Sequence, residues 1–232
     1  MAAEMTMNAS IPVHPYSPAG AALPGYVANT FSANELRAMF AAGSAVILGS
    51  ACRIVKRTRP DLPGGETATA LWFTLSAFIH FVFEGEAHSS YFSYNQANVP
   101  ASVDVFGQLW KEYSLSDSRY LTRDPFVVCM ETVTAAFWGP LSLAGACCVV
   151  AGHPLRHPLQ LVVSLGQLYG DVLYFATCSF DESSIVLLRD IFFDAFWIVA
   201  PLCLVPESCA ETRRAFEKLA ALERGSHRKK DM

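Results

Sequence analysis

A histidine and a glutamate four residues apart, His80 and Glu84, sit in the apolar stretch FIHFVFEGE. In a helix that spacing puts both side chains on one face, within hydrogen-bond reach of each other. Glu131 lies in CMETVTAAFWGP, with Thr134 and Trp138 three and seven residues further on and therefore on the same face. Gln160, Ser164, Gln167, Asp171 and Tyr174 follow at steps of four, three, four and three, and Asp190, Asp194 and Trp197 mark a last run. An imidazole and two carboxyls exceed what packing requires and are the makings of a proton-transfer site. A dry surround favours the uncharged form of each, so one can stand as a neutral acid while its neighbour is a ready base. The stripe from Gln160 to Asp171 reads equally well as polar glue between helices. Trp197 alone would be ordinary bulk, but its spacing of three from Asp194 argues for an inward position. A lone histidine beside carboxylates, with no thiolate set, lacks the ligand number of a zinc site, so no metal is expected. No G-x-S-x-G, G-x-G-x-x-G or phosphate loop is present, which leaves serine hydrolysis and nucleotide chemistry without support.

These groups lie in segments built for lipid. The 232 residues are 52% apolar and 16% charged, against about a quarter charged in an ordinary soluble domain. Five apolar runs approach the roughly 20 residues needed to cross a bilayer, near 34–54, 68–92, 126–150, 158–178 and 184–206. The expected fold is all-α, a polytopic membrane protein with a five-transmembrane-helix bundle. Residues 1–33 form a non-membrane segment without the basic and apolar regions of a cleaved secretory signal, and 207–232 a basic cytoplasmic tail. Twelve of the 17 basic residues fall on the side that holds the C-terminus, against five on the other, which favours a cytoplasmic C-terminus. The tail HRKKD reads as a solvated basic end or as a lysine-type endoplasmic-reticulum signal. A net charge of −4 offers no basic surplus to neutralise phosphates, so nucleic acid is excluded as a partner. The seven cysteines lie in or beside apolar runs with no C-x-x-C spacing and read as small hydrophobes. The polar connection at 93–125 is long enough for a function of its own, and its Trp110, Tyr113 and Tyr120 read as interfacial anchors.

Charged groups inside spans cost about 2.5–3.5 kcal/mol each at a helix centre, and lipid cannot satisfy them. Four helices with polar lines must therefore turn these lines toward one another or toward a cavity, and the substrate should be apolar and reached from the membrane.

At these residues the chain resembles the emopamil-binding protein family, the sterol delta-8 to delta-7 isomerases. The resembling segments are FIHFVFEG (78–85), QLWKEYSLSDSRY (108–120), CMETVTAAFWGPLSL (129–143), HPLRHPLQLVVSLGQLYGDVLYF (153–175) and DAFW (194–197), with HPY at 14–16 and LPGY at 23–26. The resemblance implies a sterol isomerase of the endoplasmic-reticulum membrane that uses no cofactor. Such an enzyme adds a proton at sterol carbon 9, passes through a cation at carbon 8 and removes a proton from carbon 7. By the same resemblance His80, Glu84, Glu131 and Thr134 handle protons, and Trp197 offers its ring face to the cation. Asp194 takes the place of a family asparagine, where it adds negative charge beside the cation or sits protonated as an amide substitute. Met130, Tyr120, Gln167 and Trp138 are expected to contact the sterol. Glu86, Ala87 and His88 replace bulky apolar or aromatic residues of the family and bear on the cavity entrance. Lipophilic cationic amines should bind as mimics of the cation. The resemblance also allows a homodimer. Competing readings are a non-catalytic sterol or amine binder similar to the sigma-2 receptor, and a proton-coupled transporter, the latter disfavoured by the lack of a visible repeat.

Overall fold

The computed structural model describes residues 14–83, 97–180 and 187–230, except the side-chain surroundings of 187–194 and 228–230. Among the described residues the regular structure is all helical. Helix α1, Ala33–Thr58, starts at a capping box in which the Ser32 hydroxyl accepts from the Glu35 backbone N–H and the Glu35 carboxylate accepts from the Ser32 N–H. Lys56 and Arg57 occupy its last turn, where cations meet the negative end of the helix dipole. At about 1.5 Å per residue its 26 residues span about 39 Å, more than a hydrocarbon core of about 30 Å.

Helix α2, Gly64–Phe78, runs straight into a π turn, Ile79–Phe83. After a 3-10 turn at Val99–Ala101 come the short helices α3, Val105–Tyr113, and α4, Arg119–Thr122. Helix α5, Pro125–Val133, opens on Asp124, whose carboxylate accepts from the Val127 N–H, with proline at the first position where no donor is needed. It passes through a second π turn, Thr134–Trp138, into α6, Gly139–Ala151. Gly152 ends α6 at φ +63°, and His153 N–H donates back to the Cys148 carbonyl at 2.9 Å, a Schellman closure that favours glycine. Helices α7, Arg156–Cys178, and α8, Leu187–Lys230, complete the chain.

Among the described residues four helical stretches are long and apolar enough to cross a membrane: Ala33–Thr58, Gly64–Phe83, Pro125–Ala151 and Arg156–Cys178. They match the first four expected runs, the second as far as residue 83, beyond which it lies outside the described residues. The fifth run begins outside the described residues and continues within α8, which carries Pro201 and Pro206. α2 packs along α6 and α7 along α8, with α7 also against α6 and α1 against α2. Phe73, Ala146, Val163 and Leu204 knit α2, α6, α7 and α8 into one apolar cluster.

In the described part of the 93–125 connection, residues 97–125, the aromatic rings turn inward and do not anchor at a surface. Trp110 and Tyr120, expected as interfacial anchors, are 3% and 4% exposed and join Tyr16, Leu23 and Tyr174 in a second core. The reason is a polar frame that satisfies the backbone while the rings go inward. Lys111 is fully buried and its ammonium donates to the Val27 and Ser102 carbonyls at 2.6 and 2.7 Å. Burial lowers the Lys111 pKa, with the charge of Asp104 acting against it. The Gln108 side-chain oxygen accepts from the Thr30 and Phe31 N–H groups at 2.8 and 3.0 Å. The segment leading into α1 is thereby tied onto α3.

Candidate active site

Two π turns touch, and Gly139, directly after the second, lies against the first. A Cβ at Gly139 would stand 3.4 Å from His80 Cβ and from a Phe81 ring carbon, so the missing side chain lets the backbones close up. π turns insert one residue into the helical ladder and recur at functional sites. Here the first carries His80 and the second begins at Thr134.

His80 is 3% exposed, and its ring lies 5.2 Å from that of Trp197 at 36°. Trp72 backs Trp197 on α2 at 5.3 Å. Glu131, 5% exposed near the end of α5, accepts a 3.1 Å hydrogen bond at Oε1 from the Tyr120 hydroxyl. Burial pushes the Tyr120 hydroxyl well above the ordinary tyrosine range, so it is a donor and not a phenolate. Thr134 donates its hydroxyl proton to the Met130 carbonyl at 2.7 Å, which leaves its oxygen as an acceptor.

These side chains line one hollow. His80, Glu131, Thr134 and Trp197 meet there, joined by Tyr113 and Tyr120 from the connection. Met130, Trp138 and Gln167 also face it, as do Asp171 and Tyr174. With its open mouth the hollow encloses about 590 Å³ of space, part of it open to the surroundings. Trp138 reaches its place because Gly166 is bare: a Cβ there would stand 2.3 Å from the indole ring. Gln167 is 6% exposed, and neither atom of its amide has a hydrogen-bond partner among the described residues. It thus offers a donor and an acceptor to whatever fills the hollow.

The structure therefore brings together His80, Glu131, Thr134 and Trp197 with Met130, Tyr120, Gln167 and Trp138. Glu84 lies outside the described residues, as do Glu86, Ala87 and His88, and Asp194 is described only as a position in α8. The polar stripe of α7 divides. At one end the Gln160 amide donates to the Leu204 carbonyl and Glu207 carboxylate, which is glue, while Gln167, Asp171 and Tyr174 line the hollow. Sequence reasoning read Tyr113, which lines the hollow, only as an interfacial anchor, and left out Asp117 and Arg119 behind Tyr174. Two opposite charges at D-x-R, beside the aromatic residues of the same connection, were the signal for that pair. Among the described residues no three His, Cys, Asp or Glu side chains gather as a metal centre would require.

The fold and the hollow define a helical membrane protein whose hollow is lined by a buried histidine and a buried glutamate. The family described as EXPERA (EXPanded EBP superfamily) matches residues 105–208, from α3 into α8. The 3-beta-hydroxysteroid-Delta(8),Delta(7)-isomerase of Mus musculus is 38% identical over 210 residues, which cover 87% of this chain and 89% of that protein. The protein of the same name from Rattus norvegicus is 40% identical, covering 75% of this chain and 73% of its own. A probable 3-beta-hydroxysteroid-Delta(8),Delta(7)-isomerase of Oryza sativa subsp. japonica is 32% identical, covering 88% and 94%. This chain belongs to the EXPERA family.

Proposed function

We propose that this protein is a sterol delta-8 to delta-7 isomerase that moves a ring double bond inside the membrane. The observation that carries the reading is the meeting of His80, Glu131 and the Trp197 ring in one hollow among apolar helices. The names of the relatives agree with it. An acid delivers a proton to sterol carbon 9, the electrons of the carbon 8–carbon 9 double bond form the new C–H bond, and carbon 8 becomes cationic. A base then takes a proton from carbon 7, and the released pair closes the carbon 7–carbon 8 double bond. One proton enters and one leaves, so no redox partner is required.

Glu131 serves one end of this transfer and His80, with Glu84, the other, since the two protons belong to different carbons. Trp197 presents its ring to the cation, an attraction worth about 2 kcal/mol or more in a dry site. Thr134 completes the polar wall, and Met130, Tyr120, Gln167 and Trp138 hold the sterol. Five spans, the fifth in the first part of α8, place the C-terminus opposite the N-terminus. The twelve basic residues on that side make it cytoplasmic, in the endoplasmic-reticulum membrane.

Purified protein in lipid nanodiscs, given a delta-8 sterol in D2O, should yield the delta-7 isomer with one solvent deuteron at carbon 9. Glu131→Gln and His80→Ala should each abolish most turnover while the protein stays folded. A protein that binds lipophilic amines yet turns over no delta-8 sterol would overturn the proposal and leave a binding protein.

A further inference from the structure

Behind the wall of the hollow lies a buried ion pair. Asp117 and Arg119 are 1% and 4% exposed, and the guanidinium grips the carboxylate through Nε at 2.9 Å and Nη2 at 2.7 Å to Oδ2. The same carboxylate accepts from the Arg119 backbone N–H at 2.9 Å and from the Tyr174 hydroxyl at 2.9 Å. Arg119 also donates to Thr177 Oγ1 at 3.1 Å and to Cys178 Sγ, both at the end of α7, and stands over the Tyr174 ring at 5.1 Å. Burial pulls the Arg119 pKa down, but the hydrogen bond and charge of Asp117 outweigh it, and the net shift is upward.

A buried ion pair contributes little net stability compared with apolar residues of the same volume, whereas losing one partner is costly. Its use here is geometric. The residue after Arg119 is Tyr120, whose ring is packed by Trp110 at 5.5 Å and Tyr113 at 5.0 Å and whose hydroxyl ends on Glu131. Tyr120 and Tyr174, each bonded to a carboxylate, thus depend on the same clamp.

We propose that the Asp117–Arg119 ion pair is a positioning device for Glu131: it locks the turn bearing Tyr120 against the end of α7, so that the Tyr120 hydroxyl lands on Glu131 Oε1. This rests on Glu131 acting in proton transfer. Asp117 and Arg119 touch no substrate and act through Tyr120.

The test is a double-mutant cycle on the full chain in nanodiscs. Asp117→Asn and Tyr120→Phe should each lower kcat on the order of tenfold or more, the worth of a hydrogen bond to an ionisable group, with KM little changed. The double variant should fall less than about twofold below Tyr120→Phe, because both changes remove one interaction. Losses that multiply, or a raised KM with unchanged kcat, would overturn the proposal. If Asp117→Asn fails to fold, Arg119→Lys takes its place, keeping the charge but losing the fork. An infrared band of the Glu131 carboxyl, identified by its loss in Glu131→Gln, reads the clamp without turnover. Asp117→Asn should move it in the direction that Tyr120→Phe does, and an unmoved band refutes the clamp even where the isomerase reading stands. A wild-type chain without turnover refutes that reading and leaves the band to judge the clamp.

Discussion

Gly166 lines the hollow directly against the Trp138 ring, so adding one methyl there tests the geometry directly. In Gly166→Ala the new Cβ would stand 2.3, 2.5 and 2.8 Å from three atoms of the Trp138 ring. Ordinary carbon contact is about 3.5–4.0 Å, so the indole must move by about 1 Å or α7 must retreat by as much. Overpacking of this kind costs about 1–3 kcal/mol. The ring belongs to the hollow, and a displacement of about 1 Å at a reacting site can cost on the order of a hundredfold in rate. Gly166→Ala should therefore lower kcat/KM for a delta-8 sterol by about ten- to a hundredfold and lower Tm by several degrees. Trp138→Leu in the same background should recover Tm, since the smaller side chain frees the space. Full activity and unchanged Tm in Gly166→Ala, or a double variant less stable than either single one, would refute the placement of Trp138 against α7. Steady-state turnover in nanodiscs and a thermal melt monitored by helix circular dichroism make the measurement.

Three further outcomes are expected. Thr134→Val should lower kcat with Tm nearly unchanged, because the lost hydroxyl donates only to its own helix at Met130 while Thr134 lines the hollow; a variant with wild-type kcat contradicts this. A lipophilic tertiary amine should inhibit competitively and bind at least tenfold more weakly to Glu131→Gln, as titration calorimetry would show, since a buried cation then loses its carboxylate. Ser32→Ala removes the cap of α1 and should cost about 1 kcal/mol in a denaturant series, with sterol turnover retained.

The membrane character, the first four spanning helices and the choice of His80, Glu131, Thr134, Trp138 and Trp197 as inward groups were legible in the residues. Apolar run length and helical spacing are local properties, and the penalty for a charge in lipid acts on each residue separately. Tertiary structure decided what these rules do not reach. The two π turns change the register of α2 and of the α5–α6 stretch, so a spacing of three or four no longer reports one face on its own. Gly139 and Gly166 carry their weight only through what lies opposite them, His80 and Trp138. The 93–125 connection looked polar because Lys111, Asp117 and Arg119 are charged, yet they are buried as a frame that turns Trp110 and Tyr120 inward. Local pattern dictates where helices form and which faces shun lipid; only packing between segments far apart in the chain sets which polar groups become each other's partners.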